Sequence, residues 1–418
     1  MKTEIITIGD EMLIGQVVNT NSSWIAERLN LSGIEVCRIT TIADDKDEIF
    51  NLLDASAKRS DVVITTGGLG PTNDDITKQT ICEYFKTELI LNEKALKHIE
   101  ELFSIRGFRL TEINRKQAEI PEKCTPIPNI HGTSPGMWFE EKGKIFIFVP
   151  GVPFEMKQMF EDTIIPKLKN MFIDETIVHK TVLTQGVGES FLSEKIKEWE
   201  NKLPENIKLA YLPSPGLVRI RLTAKGKSKN ELIKIIDFHV SELIKIIPEY
   251  VFGYDDDKLE KIIGKILLKN GATLSTAESC SGGYIAHKIT SVPGSSQYYK
   301  GSVVSYSNEI KEKILQVQKE SLIEHGAVSE VVVKEMAKAI QKKFNTDYAI
   351  STSGIAGPGG GTSEKVVGTT WIAVASQNNV IAKKYLFGEN RERNIIKTGL
   401  TALNMLRILM VDEGKVKN

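Results

Sequence analysis

A chain of 418 residues, 41% hydrophobic and 26% charged, is long for a single hydrophobic core, so two or three globular domains are expected. Lysine plus arginine and aspartate plus glutamate each total 54, which lacks the basic excess of a protein that grips nucleic acid by its phosphates, so no direct nucleic-acid partner is expected. No apolar run reaches the length of a membrane span, residues 1–6 carry no secretory pattern, and Cys37, Cys82, Cys124 and Cys280 form no CxxC pair, so the expectation is a cytoplasmic protein without membrane contact, structural zinc or disulfides.

In chain order, residues 4–8 read as an apolar strand. Residues 21–31 read as a helix with Trp24, Ile25 and Leu29 on one face, closed by Gly33. Residues 36–42 form a second strand, Asp45 to Glu48 open a capped helix, and residues 61–66 and 144–149 are buried strands. Apolar strands alternating with amphipathic helices predict a parallel sheet covered on both faces. Its strands end in unusual loops: Gly9-Asp10-Glu11, the run from Gly67 to Asp75, and Pro150-Gly151-Val152-Pro153. Ligands of open parallel sheets bind at the carboxyl ends of strands. Turn-making and helix capping explain any one of these loops. They explain less well why Asp10, Glu11, Asp74 and Asp75 gather at one edge, so a site for a phosphate ester is favoured. There Gly67, Gly68, Gly70 and Thr72 approach the substrate and the four carboxylates hold Mg²⁺ or a similar divalent metal.

Residues 173–254 read as a small α+β domain, with strands at 179–183 and 217–224, helices at 188–200 and 230–247, and a turn at 212–216. A connecting role without chemistry is expected for it. From Leu259 a second α/β unit begins: a helix, a strand at 273–276, the Ala277–Gly283 turn, a helix from Tyr284, and a strand at 302–306. A helix from Asn308, a helix at 329–344, a strand at 348–353, a glycine loop at 354–361, a strand at 368–375 and a closing helix from Arg391 complete it.

Ser279 stands between a strand and a helix, ahead of Ser281, Gly282 and Gly283. That placement suits a nucleophile beside backbone amides that hold an oxyanion, although an N-cap serine has the same signature. Cys280 is a rival nucleophile, but no histidine lies near in sequence to activate it. Lys311 falls early in its helix, where the helix dipole disfavours the ammonium, as a general base requires. Glu309 or Glu312 pairing with it at the surface is the competing account. Tyr306 could relay a proton, and Arg391 and Arg393 could clamp a phosphate.

The segments Ala277–Gly283, Tyr306–Lys311 and Gly354–Gly360 resemble the C-terminal domain of the CinA family, the competence/damage-inducible proteins A. The runs Gly9-Asp10-Glu11, Thr65–Asp75 and Pro150–Pro153 resemble the molybdopterin-binding-like domain of full-length members, and Ala210–Gly216 extends the likeness through the middle. The resemblance implies an α/β protein of three parts. Residues 1–172 are a molybdopterin-binding-like parallel-sheet domain with metal-dependent ADP-ribose pyrophosphatase activity. Residues 173–254 are the small α+β domain. Residues 255–418 are a deamidase domain that hydrolyses nicotinamide mononucleotide to nicotinate mononucleotide and ammonia, in pyridine nucleotide salvage, with no cofactor. By motif, Ser279, Tyr306 and Lys311 are the implied catalytic residues. Asn308, Ser353, Gly354, Gly357, Gly359, Gly360 and Arg393 join Ser281, Gly282 and Gly283 as implied substrate contacts. A homodimer is implied as well. Attack by Ser279 and attack by an activated water both remain open. Alternative readings are a molybdopterin-binding protein of molybdenum cofactor biosynthesis and an adaptor in competence or DNA repair.

Overall fold

The computed structural model describes residues 1–70, 76–172 and 176–415. Two compact units emerge, Met1–Val178 with Lys225–Ile233, and His179–Ala224 with Lys234–Asn418. No helix among the described residues is long and apolar enough to cross a membrane.

The first unit contains strands β1 (Lys2–Ile8), β2 (Glu35–Ile42), β3 (Val62–Thr66), β4 (Leu89–Leu91), β5 (Glu119–Pro121), β6 (Thr125–Ile127), β7 (Gly136–Glu141) and β8 (Lys144–Val149). The main sheet has the order β2-β1-β3-β8-β7-β6. Its first four strands are parallel, with Ile5 beside Ile64 and Ile64 beside Ile147. The expectation of a parallel sheet therefore holds for the core, whereas β7 and β6 extend it in antiparallel fashion. Alternation along the strands sorts Ile5, Ile64 and Ile147 to one face, against Ile25 and Leu29 of the Thr20–Leu31 helix. Ile6, Val63 and Phe146 turn to the other face, against Ile49 and Leu53 of the Lys46–Arg59 helix. That second helix starts where the sequence suggests: the Asp45 side chain accepts from the Glu48 amide. Glu4, buried within β1, is matched by the two-pronged guanidinium of Arg59 at 2.6 and 2.7 Å, which offsets the cost of an interior carboxylate.

The second unit opens with β9 (Thr176–Gln185), β10 (Ile207–Ser214), β11 (Leu217–Gly226) and β12 (Val251–Tyr254), in the sheet order β10-β11-β9-β12. The stretch read from sequence as a turn at 212–216 is shorter than expected. Strand β10 continues to Ser214, and only Pro215 and Gly216 turn the chain. Strand β10 is an edge strand, so Pro213 can sit in it without removing an interior ladder bond.

Strands β13 (Leu274–Glu278), β14 (Tyr299–Val304), β15 (Tyr348–Gly354), β16 (Thr369–Ala375) and β17 (Val380–Leu386) form the last sheet, ordered β14-β13-β15-β16-β17. Strands β14, β13 and β15 run parallel, while β16 and β17 are antiparallel. The Leu259–Lys269, Tyr284–Thr290 and Arg391–Asp412 helices supply Ile263, Ile285 and Leu403 to the core on one face. The Glu330–Phe344 helix supplies Val332, Met336 and Ile340 on the other. The carboxyl ends of three parallel neighbours, β14, β13 and β15, thus lie side by side and carry Ser305, Ser279 and Gly354.

Candidate functional site

Ser279 follows β13 directly, and its amide donates to the Thr352 carbonyl of the neighbouring β15, so the sheet itself fixes its backbone. Gly282 and Gly283 then take positive φ, +62° and +93°, which turns the chain at once into the Tyr284–Thr290 helix. The Ser279 side chain is nearly buried, and its Oγ lies 3.0 Å from Lys311 Nζ.

Lys311 is 1% exposed. Its Nζ also donates to the carbonyls of Ser305, at 2.8 Å, and Tyr306, at 3.3 Å, where the chain leaves β14. Glu309, the rival partner expected from sequence, is ion-paired with Lys313 instead. The pKa of Lys311 is lowered, as expected, but the leading cause is burial rather than the helix dipole. Three oxygens surround Nζ: the two carbonyls take two N–H bonds in either protonation state, and the third position faces Ser279 Oγ, donating to it as the ammonium and accepting from it as the neutral amine that burial favours. Burial pushes the Cys280 thiol up to about 12, which removes it as a nucleophile near neutral pH.

Glu278 was not foreseen. It is fully buried at the end of β13, and its carboxylate accepts from Ser281 Oγ (2.7 Å) and from the amides of Gly283 (3.1 Å), Ile285 (3.1 Å) and Ala286 (2.8 Å). An internal carboxylate thus occupies the helix N-terminus expected to receive an oxyanion. The Gly282 amide donates to the Ser279 carbonyl, so the Gly282 and Gly283 amides are both engaged within the chain. The hydroxyl of Ser281 is spent between Glu278 and Thr352, and that of Ser353 donates to the Ala327 carbonyl at 2.7 Å. Neither serine presents a free hydroxyl donor. The signal for Glu278 was present in the sequence: an acid ending an apolar strand immediately before a helix.

Among the described residues, no side chain of Tyr306, Arg391 or Arg393 hydrogen-bonds to Ser279 or Lys311. The Tyr306 side chain is 62% exposed, and its hydroxyl accepts from Arg391 Nη2 at 2.8 Å. Only its backbone carbonyl meets Lys311, so no proton relay through the phenol is required. Arg391, rather than Arg393, binds the glycine loop: its Nη1 donates to the Gly357 carbonyl at 2.9 Å. Arg393 lines a different cleft of the same unit. Asn308, exposed, is the first residue of the Asn308–Leu315 helix, capped by Ser307. Within the loop, a Cβ on Gly354 would meet the Thr369 carbonyl at 2.9 Å, and one on Gly357 the Glu389 carbonyl at 2.8 Å. The approach of the chain to itself thus accounts for these two glycines, whereas Gly359 faces open space and Gly360, at φ +86°, makes a turn.

In the first unit, the ends of β1, β3 and β8 surround a cleft of about 460 Å³ lined by Glu11, Asn21, Asp44, Gly67, Gly68, Gly70 and Gly151 among others. A Cβ on Gly67 would strike the Ile8 carbonyl at 2.1 Å, so this glycine lets two strand ends meet. On Gly68 it would strike Thr77 Oγ1 at 2.0 Å. Asn21 donates to the Gly151 carbonyl at 2.7 Å, while its own buried Oδ1 has no hydrogen-bond partner among the described residues. Glu155 lies across the cleft, held by Asn129 at 2.7 Å. Asp10, expected as a metal ligand, is exposed and is not among the residues lining the cleft. Thr72, Asp74 and Asp75 lie outside the described residues. Among the described residues, no three carboxylate, imidazole or thiolate side chains converge to hold a metal.

A strand-end serine with a buried lysine on one sheet, and a glycine-lined cleft at the strand ends of another, define a multidomain α/β protein. Comparison with known families matches the chain in three consecutive parts. Residues 4–170 match the model described as "Probable molybdopterin binding domain", residues 179–253 the "Damage-inducible protein CinA KH domain", and residues 256–410 the "CinA C-terminal domain". A CinA-like protein of Cytophaga hutchinsonii is 50% identical over 404 residues, 97% of each chain. One of Flavobacterium psychrophilum is 48% identical over 408 residues, 97% of this chain and 98% of the relative. A crystal structure of the competence/damage inducible protein CihA from Agrobacterium tumefaciens covers 36% of this chain and 93% of its own, at 37% identity and a TM-score of 0.36. The chain belongs to the CinA family.

Proposed function

We propose that the C-terminal domain is a serine–lysine amidohydrolase acting on nicotinamide mononucleotide. The observation that carries this reading is the 3.0 Å approach of Lys311 Nζ to Ser279 Oγ in a buried setting that favours the neutral amine. Serine–lysine pairs are a known variant of the nucleophile–base arrangement. Lys311 takes the Ser279 proton as Oγ bonds to the carboxamide carbon. The tetrahedral oxyanion collapses, Lys311 returns the proton to the departing nitrogen, and ammonia leaves an acyl ester on Ser279. Water, deprotonated by Lys311, then hydrolyses the ester to the carboxylate and restores the serine. Because the Gly282 and Gly283 amides are engaged, the reading assigns the oxyanion to the amides of Cys280 and Ser281. Arg391, between Tyr306 and Gly357, orders the loop that receives the nucleotide.

For the first unit the reading is hydrolysis of ADP-ribose in the β1–β3–β8 cleft, favoured by the Asn21 acceptor, which has no partner among the described residues and suits a ribose hydroxyl. Among the described residues the cleft carries the carboxylates of Glu11, Asp44 and Glu155, which do not converge on one point as a hard-cation site requires.

The test is ammonia release from nicotinamide mononucleotide by the pure full-length protein. Wild type and Cys280→Ala should release it in step with nicotinate mononucleotide, and Ser279→Ala should not. An inactive wild type, or a Ser279→Ala protein as active as wild type, refutes the assignment.

A further inference from the structure

The second unit holds another cleft, of about 840 Å³, which neither Ser279, Lys311 nor Arg391 lines. One wall is β17 and the residue that follows it, with Lys383, Tyr385 and Phe387 alternating onto one face. The rings of Tyr385 and Phe387 are stacked, with centroids 5.4 Å apart and planes 9° apart, and Lys383 Nζ stands 5.6 Å from the Tyr385 ring. The opposite wall is the Arg391–Asp412 helix, which presents Arg393, Lys397 and Thr401 at four-residue spacing. Lys397 Nζ donates to the Phe387 carbonyl at 3.0 Å, joining the two walls. The floor is polar and buried. Gln185 donates to Thr401 Oγ1 at 2.9 Å and accepts from Asn404 at 2.7 Å. Two acids also line the cleft, but Glu249 is paired with Lys195 at 2.6 Å, leaving Glu189 against three cations.

These features specify a ligand. The volume is that of a small-molecule site and far exceeds what a lone phosphate needs. The aromatic pair offers a flat surface that extends naturally by one more ring. Arg393 and Lys397 together suit a phosphate, the first by its planar fork and the second as a point charge. The floor amides, each with a second N–H, suit the polar edge of a base. Lys383 beside Tyr385 disfavours a cationic ring, which excludes the pyridinium of the proposed deamidase substrate. We propose that this cleft is a binding site for a nucleoside phosphate with an uncharged base, the base against Tyr385 and Phe387 and the phosphate on Arg393 and Lys397.

The experiment is isothermal titration of adenosine monophosphate, and separately of inorganic phosphate, into the full-length protein. Wild type, Tyr385→Leu, Lys397→Glu and Lys383→Glu are compared, with thermal melts to check folding; Lys383 is exposed, so its variant keeps the test valid if another fails to fold. The expected result is that adenosine monophosphate binds wild type, and that each folded variant loses one site or weakens it by about tenfold or more. Superimposable isotherms for wild type and folded variants overturn the proposal, as does failure of wild type to bind. Inorganic phosphate binding as tightly as the nucleotide overturns the role of the base.

Discussion

At the residue scale, the proposed chemistry turns on Lys311. Its buried amine has a pKa below that of a free lysine, so the neutral, proton-accepting form grows as pH rises through that lowered value. The kcat for amide hydrolysis should therefore show an acid limb, low where Lys311 is protonated and rising as it deprotonates. Lys311→Arg keeps the charge but cannot deprotonate near neutral pH, and should lose on the order of 100-fold in kcat with little change in KM. Steady-state kinetics across pH decide this, and an arginine variant near wild-type kcat removes Lys311 as the base. Glu278 acts differently, by holding the backbone that presents Ser279. Glu278→Ala leaves a serine hydroxyl and three amides without their acceptor, and should destabilise the protein by roughly 2–4 kcal/mol. Denaturant unfolding measures it. A loss below about 0.5 kcal/mol, the ordinary range for an inconsequential surface change, contradicts the capping account.

At the element scale, the glycine loop and the last helix are joined by Arg391, which reaches both Gly357 and the Tyr306 hydroxyl. Neither contact touches the Ser279–Lys311 pair. Arg391→Ala should thus loosen the glycine loop and, if that loop receives the nucleotide as proposed, raise KM by roughly tenfold, while kcat changes little. Tyr306→Phe should likewise keep most of kcat, since the phenol meets Arg391 rather than Lys311. A large drop in kcat for Tyr306→Phe would return the tyrosine to a proton-relay role. The paired measurement of kcat and KM separates the two accounts.

At the scale of the whole molecule, every group assigned to the amide chemistry lies within residues 255–418. That fragment should fold and hydrolyse the amide. It should also melt lower than the same domain in the full chain, because Leu183 and Phe252 belong to its core cluster and Gln185 satisfies Thr401 and Asn404. Losing these partners should lower the transition by roughly 5 °C or more. Calorimetry and ammonia release on the fragment check both statements. A folded but inactive fragment would show that residues before 255 complete the site.

What the sequence determined by itself was local. The strand ends at Gly9, Gly67, Pro150 and Ser279, the helix opened by Asp45, the helix from Asn308, and the glycine loop after Ser353 all follow from short-range spacing and turn chemistry, and the motifs they carry identify the family. The pairing of Ser279 with Lys311 was anticipated as chemistry, but its 3.0 Å geometry comes from β13 and β14 lying side by side. The three-residue strand β6 left too little pattern to be seen, the seven-residue β17 is a half-exposed edge strand without a continuous apolar run, and the edge position that admits Pro213 into β10 is a property of the sheet. Arg391 and Arg393 show the limit most plainly. Two residues apart on a helix, they point about 200° from one another, so only one can face the glycine loop. Which one does so is set by how the helix is rolled, with Asn394, Thr398 and Leu403 buried against the domain. Likewise, whether the amides after Ser279 face a ligand or Glu278 depends on where the carboxylate folds back. Spacing along the chain supplies the candidates, while burial and rotation, which involve residues far apart in sequence, decide which of them meet.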